Sequence, residues 1–329
     1  LIGIFFYWYA VAEDIRRQSE RFNAITLPDV FSKQFSRGGL WIRFTAMLII
    51  IFFFTFYLAA QFNGAGKVLN VTFGIDPFTG MVTGAAVIIL YTMLGGFHAV
   101  VWTDFIQALL MFGALVLLPL AGLQEVSTGG HSLGSALDAA GGTYLSITGG
   151  KTGWAAAATI IGGLSWAFGY MGQPHLLTKF MSLKDPARMK KSRRIAFFWA
   201  VPAFAGAFVI GLVGLALYGQ GAFDDVEKVM PQLANNLLPA WVAGILISAA
   251  IAAMMSTADG QLLVISSTVS EDFCHNILKI NMSPKAMVNL SRIVTLLVGL
   301  AAFVIAVTSQ KLIFAMVSYA WSGLGASFG

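Results

Sequence analysis

Two adjacent hydroxyl residues, Ser256 and Thr257, interrupt an apolar segment that reads A-A-M-M-S-T-A-D-G-Q-L-L-V. Ala253 precedes them by about one helical turn, so its carbonyl oxygen can join the two hydroxyl oxygens on neighbouring faces. Sodium is a hard cation, and hydroxyls with backbone carbonyls can bind it without burying a fixed anion. The pattern predicts a sodium site. A purely structural role is the alternative, because Ser and Thr in apolar helices often bond the carbonyl one turn back.

A second segment, residues 162–174, combines glycines, aromatic residues and a proline in the order G-G-L-S-W-A-F-G-Y-M-G-Q-P. Its glycines loosen a helix, and Pro174 removes a backbone donor near its end. The freed backbone groups can then face a ligand. Trp166 and Tyr170 are four residues apart, share a helix face and could enclose a small apolar ring such as pyrrolidine. A kinked helix with aromatic residues in its packing explains the same pattern equally well.

Two carboxylates lie in or beside apolar stretches, at Asp104 and Asp259. A carboxylate at membrane depth is costly, so each needs a partner and is a functional hypothesis by default. Asp104 comes just after the helix break that we expect at Gly95 and Gly96, in G-G-F-H-A-V-V-W-T-D, where capping the next helix is the simpler role. We expect Asp259 in the cytoplasmic half of its helix, where it holds water or sodium on an exit path.

Other chemistries have no support in the sequence. The histidines His98, His131, His175 and His275 lack metal-ligand spacing, and no phosphate-binding G-x-x-x-x-G-K-S/T motif occurs. H-E-x-x-H is absent, and G-x-S-x-G occurs only as G-H-S-L-G at residues 130–134 and G-A-S-F-G at residues 325–329, neither of them in the strand-to-helix setting that a serine nucleophile needs. We therefore predict no cofactor, no metal except sodium, and no enzyme activity.

The elements that must position these residues are membrane helices. The chain has 57% apolar and 11% charged residues, and a mean hydropathy of +0.78, which together indicate a bilayer rather than water as its surroundings. A spanning helix needs about 20 mostly apolar residues. Seven segments meet this: residues 41–64, 81–101, 105–124, 152–181, 195–219, 238–269 and 290–308.

The positions of the basic residues orient the spans. If the polar segment 13–40 is cytoplasmic and the spans alternate, only four of the twenty basic residues, Lys67, Lys151, Lys228 and Lys311, fall outside. Cytoplasmic loops carry an excess of Lys and Arg, so loops 13–40, 182–194 and 271–289 are predicted to be cytoplasmic in a multi-pass inner or plasma membrane protein. The net charge of +5 therefore reflects topology, and no nucleic-acid partner is predicted.

Both ends of the sequence lie within apolar runs, at residues 1–12 and 314–329. We expect a single transmembrane transport domain over residues 1–329, truncated at both ends, with seven complete spans and two partial ones. The expected fold class is an all-α polytopic membrane protein.

Five strings occur in a fixed order: T-L-P-D-V-F, G-G-F-H-A-V-V-W-T-D, G-Y-M-G-Q-P-H-L-L-T-K-F-M, M-S-T-A-D-G-Q-L-L-V-I-S-S-T-V-S-E-D-F and V-S-Y-A-W-S-G-L-G-A-S-F-G. Together they resemble the solute:sodium symporter family, most closely its sodium/proline symporters, over essentially the whole chain. The resemblance implies a leucine-transporter-type bundle of two inverted five-helix repeats, present here as a central fragment. It also implies an earlier helix, before Leu1, that supplies half of the sodium site and several solute contacts.

The resemblance also implies roles for particular residues. The second half of the sodium site corresponds to the Ala253 backbone, Ser256 and Thr257. Asp104 resembles an acidic residue associated with a sodium exit route, whereas the Asp259 position is often an uncharged serine in that branch. The residues implied in solute binding are Trp166, Tyr170, Tyr91, Gln173 and Pro174.

The expected function is sodium-coupled uptake of a small solute, L-proline above others, by alternating access in a lipid bilayer. Pantothenate, a sugar, a short carboxylate or another amino acid is the alternative solute. On hydropathy alone, a membrane channel or a sensor also remains open.

Overall fold

The computed structural model describes residues 1–35, 37–129, 132–139, 143–144, 146–309 and 311–329. All regular structure in these ranges is helical, as the fold-class prediction requires. The α-helices are α1 (Ile2–Phe6), α2 (Ala12–Phe22), α3 (Leu27–Gln34), α4 (Gly39–Phe73), α5 (Pro77–Thr128), α6 (Leu133–Ala139), α7 (Gly153–Met171), α8 (Pro174–Met181), α9 (Met189–Tyr218), α10 (Val229–Leu237), α11 (Ala240–Ser267), α12 (Pro284–Thr308) and α13 (Ile313–Phe328). π-helical turns connect α1 to α2 at Tyr7–Val11 and extend α11 at Thr268–Ile277.

Five helices in the described residues are long and apolar enough to cross a membrane: Gly39–Phe73, Pro77–Thr128, Pro186–Tyr218, Ala240–Ile277 and Pro284–Thr308. Ile313–Phe328 is a shorter apolar helix. The sequence prediction gave seven spans. The two counts differ because α5 contains two predicted spans and because α7, which carries most of the predicted span 152–181, is not among the five.

Helix α5 changes direction at Gly96. With 52 residues, a straight helix would be about 78 Å long, more than twice the hydrocarbon thickness of about 30 Å. Gly96 interrupts it with φ 66° and ψ 179°, a conformation that is essentially restricted to glycine. The break expected at Gly95 and Gly96 is therefore confirmed. It lies near the end of the predicted span 81–101, before the predicted span 105–124 begins.

The predicted span 152–181 is also broken. Helix α7 ends at Met171 and α8 begins at Pro174, so Gly172 and Gln173 are the non-helical residues. Gly162 and Gly163, which we expected to loosen the helix, lie inside α7. The proline has the larger effect because it lacks the amide that would continue the hydrogen-bond ladder.

Helix α4 is the centre of the bundle and packs against α3, α5, α11, α12 and α13. Small residues allow its closest approach to α5, where a Cβ on Gly80 would lie 3.1 Å from the Gly66 Cα, and one on Gly84 would lie 2.6 Å from the Ala65 Cβ. Such contacts are typical of membrane helices, which associate mainly through close packing. The arrangement holds α5 and α11 around the candidate residues.

The polar segment 13–40 forms two short helices, α2 and α3, joined by a turn. Asn23 ends α2 in the left-handed conformation, with φ 48°. Thr26 begins α3 by accepting a hydrogen bond from the Asp29 amide at 3.2 Å, and a proline in the first turn suits a helix start.

Candidate functional site

The break between α7 and α8 is enclosed by other helices. Gln173 is fully buried, and its Nε2 donates to the Gly169 carbonyl at 2.8 Å. The His175 ring, on the first turn of α8, meets Phe54 of α4 with ring centroids 5.4 Å apart. Non-helical backbone at membrane depth is tolerated only where it is buried in protein or lines a cavity, and this break meets that condition.

Helix α13 approaches the break too closely to admit side chains. A Cβ on Gly172 would lie 2.4 Å from the Leu324 carbonyl oxygen, and one on Gly325 would lie 2.6 Å from the Gly169 Cα. These glycines let the two backbones touch. The contact fixes the rotation of α13 and thereby presents its Trp321 to α7.

An aromatic cluster surrounds Trp321. Its ring lies 5.3 Å from the Trp166 ring and 5.7 Å from the Tyr170 ring, so the predicted shared face of Trp166 and Tyr170 is confirmed. Phe314, also on α13, stacks on Trp166 at 5.3 Å. The sequence analysis missed Trp321 as a site residue, although its motif V-S-Y-A-W-S-G was visible, because nothing local says which helix faces α7.

The two predicted solute-binding aromatics line different cavities in this conformation. Trp166 and Trp321 border a cavity of about 300 Å³ between α7 and α13. Tyr170 borders one of about 230 Å³, together with Tyr7 and Lys179. Trp321 lies against both aromatics, so any solute held between Trp166 and Tyr170 would also contact it.

The predicted sodium ligands occupy the middle of α11. The Thr257 hydroxyl donates to the Ala253 carbonyl at 2.9 Å, which places two oxygen atoms side by side. Ala253, Ser256 and Thr257 are half-buried. The hydrogen bond is the structural role that the sequence analysis left open, and the same geometry brings both oxygens within reach of a cation.

The carboxylates lie in a charged region between α5, α8 and α11. Lys179 of α8 donates to the Asp104 carboxylate at 2.7 Å. Asp104 is inside α5 and does not cap it, so the simpler role considered from the sequence is wrong; Gly96 ends the preceding helical stretch eight residues earlier. Lys179 is the partner that Asp104 needed, and the sequence could not identify it because the two residues are 75 positions apart.

Asp259 lies one turn beyond Met255 on α11 and is fully buried. Among the described residues, neither of its carboxylate oxygens has a hydrogen-bond partner, while the charges of Asp104 and Lys179 act on it. The Tyr91 hydroxyl contacts Thr103 and lies near both carboxylates. The structure therefore places Tyr91 beside the carboxylates, apart from the aromatic cluster.

No group of three or more His, Cys, Asp or Glu side chains suited to a metal ion occurs in the part of the chain that the structure describes. His131 lies outside the described residues.

A bundle of apolar helices in which one helix is broken beside aromatic side chains is typical of secondary transporters. The family model described as "Sodium:solute symporter family" matches residues 1–329. The chain belongs to the sodium:solute symporter family.

Named proteins with similar sequences support this family assignment. The chain is 37% identical to the sodium/proline symporter of Escherichia coli strain K12, with 100% of the chain and 66% of that protein covered. It is 35% identical to the high-affinity proline transporter PutP of Bacillus subtilis strain 168, covering 100% and 69%, and 34% identical to the osmoregulated proline transporter OpuE of that strain, covering 100% and 66%. The chain thus spans about two thirds of the length of these relatives.

A solved structure shares the fold. A Na⁺-coupled sialic acid symporter in a substrate-bound, outward-open state matches with a TM-score of 0.73 at 19% identity, covering 99% of this chain and 71% of that one. The expected fold class is confirmed by this match.

Proposed function

We propose that this chain is the transport domain of a sodium-coupled secondary transporter that takes up a small solute, and that the solute is L-proline. The observation that carries the proposal is the similarity of the whole chain, at 34–37% identity, to proteins named as proline transporters or sodium/proline symporters. The ion gradient supplies the energy, so no covalent chemistry is needed and the protein is not an enzyme.

Proline suits the aromatic cluster beside the helix break. Its pyrrolidine ring is a small apolar body that Trp166 and Tyr170 can hold, with Trp321 against both. Its charged amino and carboxylate groups need partners, and the non-helical turn at Gln173 and Pro174 supplies backbone groups for them. Tyr91 is also proposed to contact the solute, from its position next to the charged region of Asp104 and Asp259.

Sodium binding is assigned to α11. The Ala253 carbonyl and the Thr257 hydroxyl are adjacent, Ser256 adds a third oxygen, and further ligands come from outside these residues, since sodium takes several. Asp104 and Asp259 then form a route for the released ion, because their carboxylates lie together near Lys179.

Coupling requires that sodium and the solute each bind one conformation more tightly than the other. A ligand with equal affinity for the two conformations does not change their populations. In our account sodium stabilises the outward-open state, proline binds next, and both are released inside. Loops 13–40, 182–194 and 271–289 are cytoplasmic in this account, which follows from the excess of Lys and Arg that they carry.

Another solute is the second candidate. The sialic acid symporter has the same fold and is named for a very different molecule, so fold alone does not choose proline. Pantothenate, a sugar, a short carboxylate and another amino acid stay open on this ground.

The proposal is tested by equilibrium binding to the purified full-length protein. Labelled proline should bind in sodium chloride and lose most of its binding in potassium chloride of equal ionic strength. Unlabelled proline should displace it, whereas pantothenate, glucose, acetate and alanine should not. Sodium-dependent binding of one of those four without proline binding would contradict the assigned solute and leave sodium coupling in place.

A further inference from the structure

A buried ionic network joins the α2–α3 region to α4 and α11. Arg43, near the start of α4, contacts the Asp29 carboxylate at 2.5 Å and the Asp272 carboxylate at 3.1 Å. Asp272 is fully buried and Asp29 is 4% exposed. Lys33 adds a more exposed contact to Asp29 at 2.8 Å, and the Glu271 charge also acts on Asp272. None of these residues belongs to the solute or sodium site proposed above.

Thr26 connects this network to the turn between α2 and α3. Its hydroxyl donates to the Asp272 carboxylate at 2.9 Å and accepts from the Asp29 amide at 3.2 Å. On the other side of the turn, Arg16 of α2 donates to the Leu183 carbonyl at the end of α8. Residues 23–27 therefore lie between two contacts, that of Arg16 on α2 with Leu183 just after α8 and that of Thr26 with Asp272 in the π-helical extension of α11.

The turn is also the wall of a cavity. A space of about 320 Å³ lies between the turn, α8, α11 and the residue that follows the Gly96 break. Its lining is mostly apolar, with a few hydroxyl groups: Ala24, Ile25, Thr26, Leu27, Phe97, Thr178, Met181, Ser182, Leu263, Val264, Ser267 and Thr268. This size and composition are those of a small-molecule site.

One residue of the lining, Thr268, has a hydroxyl group without a hydrogen-bond partner among the described residues. Thr268 is fully buried. A buried hydroxyl without a partner is costly, and a solute with polar groups in the cavity would supply one. The cavity lies further along the two helices that carry the proposed transport site, because its walls include Thr178 of α8, beyond the helix break, and Leu263 of α11, beyond the sodium ligands.

We propose that this cavity is the vestibule through which the solute is released, and that the turn of residues 23–27 is its gate, latched by the Thr26–Asp272–Arg43–Asp29 network. The proposal rests on the proposed function for the solute and for the side that the turn faces. With the Thr26 bond intact, the turn covers the cavity. When that bond breaks, the turn moves away from α11 while Arg16 holds its other end, and the cavity opens.

Thr26 is the point at which the latch can be changed without leaving a buried charge unpaired. Removing Arg43 would leave Asp29 and Asp272 buried without their counter-ion, which is strongly destabilising. Replacing Thr26 by valine keeps the shape and removes two hydrogen bonds, the one donated to Asp272 and the one accepted from the Asp29 amide at the start of α3. Loss of the bond to the charged acceptor corresponds to about a tenfold change in the closed-to-open ratio.

The experiment measures access to the cavity wall. Cys274 is the only cysteine of the sequence, so a Cys274→Ser background of the full-length protein, with any other cysteine replaced, can carry the half-buried Ser267→Cys as reporter. The labelling rate with a membrane-impermeant maleimide is measured in inside-out and right-side-out vesicles, without sodium or proline. The variants are Thr26→Val, Thr26→Ser, Asp272→Asn and Thr178→Val.

We expect Thr26→Val to raise the labelling rate about tenfold in inside-out vesicles only, and Thr26→Ser to leave it unchanged. Asp272→Asn should also raise it, since it weakens the Arg43 contact, and it provides the test if Thr26→Val does not fold. Thr178→Val is the matched control, because its hydroxyl lines the same cavity but bonds the Pro174 carbonyl of its own helix at 2.9 Å. Saturating proline with sodium should slow labelling of the Thr26→Val reporter.

Equal rates for Thr26→Val and Thr26→Ser, or equal acceleration by Thr178→Val, would overturn the gate. Labelling unaffected by proline, in a protein shown to bind it, would remove the cavity from the solute's route. Since the labelling rate needs neither ligand, a failure of proline binding would leave the gate result standing and would count against the proposed function alone.

Discussion

At the scale of single residues, the polar side chains of the candidate site bond either to the backbone one helical turn away or to a side chain of a neighbouring helix. Thr257 bonds its own helix at Ala253, Gln173 bonds Gly169, and Asp104 pairs with Lys179. Each therefore combines a structural bond with a position next to a break or a cavity. The structural role and the binding role can be separated by a control substitution on the same helix, at a residue that lies away from the candidate site.

The α11 hydroxyls should set the response to sodium. Ser256→Ala or Thr257→Ala removes one oxygen ligand, so the sodium concentration for half-maximal proline uptake should rise by about tenfold. Ser248→Ala is the control, because Ser248 is exposed on the same helix and its hydroxyl bonds the Gly244 carbonyl at 2.7 Å. An unchanged sodium response in both site variants would remove α11 from the sodium site.

The aromatic residues of α7 should set the affinity for the solute. Trp166→Leu and Tyr170→Leu each remove ring contacts worth roughly 0.5–1.5 kcal/mol, so proline affinity should fall by about three- to tenfold at saturating sodium. Trp154→Leu is the control, since Trp154 is 82% exposed on the same helix and borders neither of the two cavities. If affinity falls equally in all three, the two aromatics act through the stability of α7 and not through contact with proline.

At the scale of elements, two breaks shape the bundle, one at Gly96 and one just before Pro174, and loop residues hold the helix ends. Gly96 turns α5, and the Gly172–Gln173 turn separates α7 from α8. On the end of α4 opposite to Arg43, Lys67 contacts Asp225 at 2.7 Å and Glu227 at 2.6 Å. Glu227 in turn accepts from the Ile313 and Phe314 amides, which fixes the start of α13.

Gly96→Ala should destabilise the fold. Its backbone conformation costs a residue with a Cβ roughly 1–3 kcal/mol, so the detergent-solubilised protein should unfold at a lower temperature or urea concentration. Gly113→Ala is the matched control in the same helix. An added Cβ there meets nothing within 4 Å, and alanine should stabilise the helix by about 0.5–1 kcal/mol. Equal effects of both variants would show that α5 does not turn at Gly96 in solution.

The contact at Asp225 should depend on pH. Burial raises the pKa of this carboxyl, but the hydrogen bonds from Lys67 and the Glu227 amide and the charges of Lys67 and Lys228 lower it further, so the net shift is downward. A carboxyl with a lowered folded-state pKa contributes stability above its unfolded pKa and loses it as the pH falls through the folded value. The stability difference between the parent and Lys67→Met should therefore shrink as the pH falls below about 4.

Unfolding midpoints of the two proteins between pH 7 and pH 3 measure this difference. Arg292→Met is a control for the loss of a cation elsewhere, since Arg292 donates to the Met93 backbone carbonyl and should show no such convergence. A difference for Lys67→Met that stays constant to pH 3 would contradict the assigned role of Asp225.

At the scale of the whole molecule, the sequence predicts the fold class and the family because hydropathy and ordered motifs act over long stretches. It also locates both helix breaks, since glycine and proline act on the local backbone. It does not identify Lys179, Trp321 or the network around Arg43. Their partners are far along the chain, at Asp104 and Asp272 for example, and only the packing of helices around α4 brings them together.

The central claim is that a sodium gradient drives proline across the membrane. The direct measurement is uptake of labelled proline into proteoliposomes that contain the full-length protein, with an inward sodium gradient and then with potassium in place of sodium at equal ionic strength. Our account predicts accumulation above the external concentration with sodium and equilibration or less with potassium. Equal uptake in the two conditions would contradict sodium coupling, and sodium-driven uptake of another solute without proline would contradict the substrate.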